Sequence, residues 1–251
     1  MIRLLLFLLL FAMSVQAERI VADLSQSRVG ISATFDGSEI LVFGAVSRQA
    51  PVPTDGALQV IVTVEGPPKT EMVRRKDKKL GIWVNSDSAR IENVPSFYAI
   101  ATTAPLAESL KDSEDLMRKV SIRRAIASVG TQLDLGGSTE FADALMRIRT
   151  ENGLYSVREG AVKFMSDTLF RTSIDLPSNL TAGEYTARIL ITRNMNVVDV
   201  FETTLDVRKV GLERWLYTLA HDKPLYYGLM SLLIAIVAGW TASAVFSYFK
   251  S

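Results

Sequence analysis

Apolar and polar residues alternate over Leu58-Gln59-Val60-Ile61-Val62-Thr63-Val64-Glu65. That period of two marks a strand. The same pattern, cut by turn residues, recurs through residues 18–104. It predicts strands at 19–23, 29–35, 39–47, 57–65, 70–76, 81–85, 89–93 and 97–102. Asp36-Gly37-Ser38, Pro51-Val52-Pro53, Asp55-Gly56 and Gly66-Pro67-Pro68 supply the breaks between them. Short strands at this spacing predict a β-sandwich of immunoglobulin-like size. With no cysteine in the chain, the disulfide of that fold is excluded and only the architecture is expected.

The period changes over 105–153. Leu116 and Val120, then Ile122, Ile126 and Val129, recur at helical spacing. After Gly136-Gly137, Ser138 is placed as an N-cap. Phe141, Leu145 and Ile148 follow at helical spacing, and Asn152-Gly153 is a stop signal. Residues 154–210 return to alternation, with strands expected at 161–165, 169–176, 183–192 and 197–207. Such a thin second β module either borrows strands from the first or uses the helices as a lid over one sheet. The fold class is therefore mainly β: one or two immunoglobulin-like modules with a helical segment between them.

Both ends are apolar blocks. Arg3 followed by Leu4–Met13 and Val15-Gln16-Ala17 has the layout of a secretory leader over 1–17, cleaved after Ala17. Between Lys223 and Lys250 lie 26 uncharged residues, 224–249, long enough for one membrane-spanning helix. A cleaved leader and one stop-transfer helix predict a single-pass type I protein of a bacterial inner membrane, with its bulk in the periplasm. Leu212, Trp215, Leu216 and Leu219 share one helical face over 211–223. This segment is either a short amphipathic helix near headgroup depth or a kinked extension of the span.

Hydrophobic residues make up 48% of the 251, and the excess sits in the two end blocks. Without those blocks, Arg3 and Lys250, 26 basic residues face 27 acidic ones, which argues against nucleic acid as a partner. No cysteine and a single histidine, His221, exclude thiol chemistry and sulfur-based zinc sites. His221 lies beside the span and reads as an interfacial side chain rather than a general base. Asp112, Glu114 and Asp115 lack the spacing of a calcium loop and fit the first turn of a helix. No catalytic residue, metal site or cofactor is expected.

Two features point to partner binding. The run Arg74-Arg75-Lys76-Asp77-Lys78-Lys79 reads as a solvated strand edge and turn, or as a docking patch for an anionic ligand or acidic face. Arg118, Lys119, Arg123 and Arg124 form a second basic group. In the span, Ser231, Ala235, Gly239, Ser243 and Ser247 recur every four residues, a row that lets helix backbones approach closely.

A set of short motifs occurs in order along the chain. They are Glu18-Arg19-Ile20-Val21-Ala22-Asp23-Leu24-Ser25, Asn152-Gly153-Leu154-Tyr155, Leu169-Phe170-Arg171 and Leu176-Pro177-Ser178-Asn179-Leu180 with Gly183-Glu184-Tyr185. Lys223-Pro224-Leu225-Tyr226-Tyr227-Gly228 and Gly239-Trp240 complete the set. In this layout the chain resembles the Alph_Pro_TM family, transmembrane proteins of alphaproteobacteria without an assigned activity. The resemblance implies an accessory role beside membrane transporters of the sulfite-exporter type. The expected function is a membrane-anchored periplasmic binding protein without catalytic activity. Its partner is expected to be an integral membrane transporter, or a second copy met through the spanning helix. The alternative is a periplasmic enzyme or small-ligand-binding protein with an undiagnosed polar site.

Overall fold

The computed structural model describes residues 18–32, 35–48, 56–127 and 138–249. The leader expected over 1–17, the Pro51–Pro53 turn, Val129, the Gly136-Gly137 break and Lys250 lie outside them. The chain forms two compact units. Among the described residues, one holds 18–29 and 35–208, and the other 30–32 and 209–249.

The first unit is mainly β. Its four-stranded sheet runs β1 (Arg19–Leu24), β3 (Ser38–Ser47), β10 (Leu169–Leu176), β9 (Lys163–Phe164). A six-stranded sheet runs β2 (Arg28–Ile31), β12 (Asn196–Lys209), β11 (Gly183–Arg193), β4 (Leu58–Glu65), β7 (Tyr98–Thr102), β8 (Tyr155–Arg158). A separate two-stranded ribbon pairs β5 (Pro68–Lys79) with β6 (Ile82–Pro95). Strands from 18–104 and 154–210 share both larger sheets. β10 pairs with β3, and β11 lies between β12 and β4. The later β segment therefore does not form a module of its own; it completes the sheets begun by the earlier one.

Burial explains the layers. In β3, Ile40, Val42 and Val46 are buried while Leu41 and Phe43 are exposed; in β10, Phe170, Thr172, Ile174 and Leu176 point inward. One face of this sheet is thus in the core and the other in water. The central strands β4 and β7 are buried on both faces, Val60 to Val64 and Tyr98 to Thr102 without exception. Contacts of β1 with β11 and β10 with β7 cover one side. The helical segment covers the other: the Tyr98 hydroxyl donates to the Val120 carbonyl at 2.9 Å, and Leu110, Val120, Ala125 and Ile126 are buried.

That segment comprises α1 (Leu106–Ser109), α2 (Asp112–Arg118), α3 (Ile122–Ala127) and α4 (Ser138–Glu151). The acids at 112–115 open α2, as expected. Asp115 accepts the backbone N–H groups of Val120 (3.0 Å) and Ser121 (2.6 Å), and Glu114 pairs with Arg118 at 2.9 Å. Ser138 is the first described residue of α4 and is already helical, and Asn152-Gly153 follow the helix's last residue, as the stop signal predicts.

Several expected strands change: β2 ends at Ile31 instead of running to 35, and β9 is two residues, Lys163–Phe164, instead of 161–165. The separate strands expected at 81–85 and 89–93 are one strand, β6, with an irregularity at Ser86 that absorbs the apparent break. Strand β8 has no counterpart in the expected set; it pairs in parallel with β7.

In the second unit, α5 (Leu212–Asp222) and α6 (Pro224–Phe249) are separate helices. Lys223, at φ −138° and ψ 63°, breaks between them, and Pro224 starts the longer helix where a missing N–H costs nothing. Residues 211–223 are thus a short helix rather than a kinked extension. Helix α6 has 26 residues, about 39 Å at 1.5 Å each, and no described side chain of Pro224–Ser243 is buried.

Candidate interaction surface

The ribbon has a buried base and a bare end. Val73, Ile91 and Val94 are buried, and the Tyr155 hydroxyl donates to the Pro95 carbonyl at 2.7 Å. Beyond Val73 every side chain of β5 is exposed. The two strands remain paired to the end, Lys78 opposite Trp83 and Lys79 opposite Ile82, and Leu80-Gly81 makes the turn. Both turn residues have positive φ, 50° and 86°. A two-residue loop of that kind matches the twist of a hairpin, which fixes the register.

Helix α4 braces the ribbon from the side. Arg75 pairs with Glu140 and lies over the Phe141 ring, 5.3 Å from its centroid, and Arg149 pairs with Glu71. Arg123, from the second basic group, reaches Asp143 of the same helix at 2.6 Å. Both basic groups therefore touch α4, a convergence that linear sequence does not reveal. Arg75 is committed to this brace, whereas Arg74 and Lys76 project from the strand. In the second group, Arg118 pairs with Glu114, and the Arg118 and Lys119 carbonyls accept Arg188, Arg118 at 2.8 Å.

In α6, Ser231, Ala235, Gly239 and Ser243 are exposed; the side chain of Ser247 lies outside the described residues. A Cβ added at Gly239 would meet no heavy atom within 4 Å. The Ser231 hydroxyl donates back to its own helix, at 2.7 Å from the Tyr227 carbonyl. Each four-residue step turns the row about 40°, so only neighbouring members share a face. His221 is held locally: its Nδ1 lies 2.9 Å from the Tyr217 carbonyl, and the two rings stack at 4.0 Å.

Sequence reasoning missed two polar nodes. The Glu18 carboxylate, itself buried, binds Arg48 Nε at 2.7 Å and Arg193 Nη2 at 2.8 Å. Arg48 and Arg193 also line an open cleft of about 630 Å³ with Leu58, Phe164 and Asp167. Glu18 already engages both guanidinium groups, so the cleft's cations are matched from within the fold. The only sequence signal was an arginine ending the apolar run Ile189–Thr192. The second node is Arg188, which lies 3.3 Å from the Tyr98 hydroxyl and 3.9 Å from Glu65. Burial raises the Glu65 carboxyl, an effect that Arg188 opposes, and burial likewise raises the Tyr98 phenol. Among the described residues, no group of three or more His, Asp or Glu is placed to hold a metal ion.

A family model described as "Putative transmembrane protein (Alph_Pro_TM)" matches residues 19–248. Comparison with curated proteins finds no match.

Proposed function

The chain belongs to the Alph_Pro_TM family of transmembrane proteins, and on that premise we propose that it is a membrane-anchored binding protein that performs no chemistry. Its β unit, a sandwich of immunoglobulin-like layout, stands in the periplasm after the leader is removed. Helix α6 crosses the inner membrane once. The partner is an integral membrane transporter of the sulfite-exporter type, met through α6, with Arg74 and Lys76 free to meet anionic groups.

The supporting observation is the bareness of α6. An apolar helix with no described side chain buried from Pro224 to Ser243 needs lipid or other helices around it. Lipid alone gives helices little reason to associate, so close packing must supply it. Ala235, Gly239 and Ser243 offer a low surface there, open at Gly239.

Co-purification from mild detergent tests the reading. The wild type should retain a membrane partner, Gly239→Ile should lose it at unchanged abundance, and Leu232→Ile should keep it. Equal retention by both variants rejects the helix contact, and no partner with wild type rejects the binding role. Protease added to spheroplasts should digest residues 18–223; protection equal to a cytoplasmic control rejects the orientation.

A further inference from the structure

The ribbon ends in large apolar side chains that the fold does not use. Leu80 is fully exposed, and Ile82 and Trp83 are 65% and 68% exposed. Leu80 stands at φ 50°, in the left-handed region where asparagine or glycine is favoured. A leucine at this turn gives the hairpin neither conformational ease nor a buried contact.

Cations stand directly behind this tip. Residues 74–87 carry five basic side chains, Arg74, Arg75, Lys76, Lys78 and Lys79, against Asp77 and Asp87. Residues opposite one another in an antiparallel pair share a face. Trp83 therefore shares one face with Lys78, and Ile82 shares the other with Lys79. On each face one apolar residue and one lysine stand level at the tip; behind them Lys76 continues the Trp83 face and Asp77 the Ile82 face. A shaped protein surface is met by one face. A layered medium, hydrocarbon beneath anionic headgroups, is matched by both faces at once. Lysine stems lie along the apolar layer while their ammonium groups stay with the headgroups, and tryptophan favours the same depth. Basic segments are drawn to anionic leaflets by the surface potential.

We propose that the β5–β6 hairpin tip, Leu80, Ile82 and Trp83 with Lys76, Lys78 and Lys79, inserts shallowly into an anionic lipid surface as a second membrane contact. The inference rests on the reading of the chain as a membrane-anchored protein. The unpaired outer edges of a two-stranded ribbon limit entry to headgroup depth, where water still reaches the backbone.

The chain has three tryptophans, so Trp215→Phe with Trp240→Phe leaves Trp83 as the sole reporter in the full-length protein. This variant is reconstituted into vesicles of phosphatidylcholine with or without phosphatidylglycerol. In the anionic vesicles Trp83 emission should shift to the blue. Brominated phosphatidylglycerol should quench it, and aqueous acrylamide should quench it several-fold less than in phosphatidylcholine. Replacing Arg74, Lys76, Lys78 and Lys79 by glutamine should abolish these differences, with the circular dichroism spectrum unchanged. Equal acrylamide quenching in both vesicles, with no effect of brominated lipid, overturns the proposal, as does lipid contact that survives loss of the four cations. A photocrosslinker at Leu80 that captures a protein rather than lipid in native membranes overturns it too. Trp83→Ala should still co-purify with the transporter partner, so failure at the tip is separate from failure of the binding role.

Discussion

Arg193 Nη2 lies 2.8 Å from Glu18 Oε1, joining residues 175 positions apart at opposite ends of the β unit. Arg48 binds the same oxygen at 2.7 Å. All three side chains are nearly enclosed, so one carboxylate compensates two cations withdrawn from water. The first strand is thereby locked onto both sheets, because Arg48 follows β3 and Arg193 ends β11.

Removing that carboxylate leaves two buried guanidinium groups without it. Glu18→Ala should therefore destabilise the protein by about 3–5 kcal/mol, more than Glu18→Gln, which keeps hydrogen-bond acceptance. Thermal unfolding of the full chain in mild detergent measures the difference. A change within the range of ordinary surface substitutions would show that the node is not a lock.

The buried tyrosines tie the helical segment and the ribbon base to the six-stranded sheet. Tyr98→Phe strands the Val120 carbonyl and should cost about 1–3 kcal/mol at neutral pH. The same groups make the fold sensitive to alkali. Burial raises the Tyr98 and Tyr155 phenols above their ordinary value of 10.0 and pushes Tyr185 up to about 12. The folded state then holds these protons more tightly than the unfolded chain, so their contribution is complete below the ordinary value and lost as pH rises through the raised ones. The phenolate absorbance of these three tyrosines should rise together with unfolding above pH 10.0 rather than ahead of it. Free titration of these tyrosines in the folded protein would contradict the burial argument.

Glu65 predicts a trend at the other end of the scale. Burial raises its carboxyl above the ordinary 4.5, with Arg188 pulling the other way. Raised acids favour the folded state while protonated, and that contribution fades as pH climbs through the raised value. Relative to Glu65→Gln, the wild type should therefore be most stable below pH 4.5 and lose ground toward neutrality. Urea unfolding of both proteins across this range checks the sign; an opposite slope would mean that the ion pair outweighs burial.

Strands with one wet face were legible in the sequence, and so were β4 and β7, apolar runs buried on both faces. β10 matches its expected bounds because alternation is visible wherever core and water lie on opposite sides. Of the ribbon end, Asp77 to Lys79 lay outside the expected strands 70–76 and 81–85: both faces are in solvent there, so these residues carry no hydrophobic period and read as a charge run. β8 is four residues long and is held by parallel pairing with a strand more than fifty positions earlier. Neither fact leaves a local mark. The convergence of Arg75 and Arg123 on α4, and of Arg48 and Arg193 on Glu18, likewise depends on tertiary placement alone. The long apolar helix α6 was legible because length and charge spacing are one-dimensional properties, whereas for 211–223 the sequence left a separate helix and a kinked extension open.

Gly44 sits in the middle of β3, between β1 and β10, with backbone angles that need no glycine; its reason is space. An added Cβ would stand 2.6 Å from the Phe170 ring, 2.7 Å from the Ala22 methyl and 3.0 Å from the Val21 carbonyl oxygen. The ring is fully buried and packs edge-on against Phe164, so it has little room to retreat. Overpacking of this kind costs typically about 1–3 kcal/mol, and Gly44→Ala should fall at the upper end because part of the clash is with backbone. Phe170→Leu alone should also destabilise, by opening a void. In the double variant the shorter side chain gives way to the new methyl while the Ala22 and Val21 contacts remain. The pair should therefore lose less stability than the sum of the two single changes, without returning to wild type. Unfolding midpoints of the four proteins decide it. Simple additivity would mean that Gly44 and Phe170 do not share this space, and that the register of β3 against β10 differs from the one described.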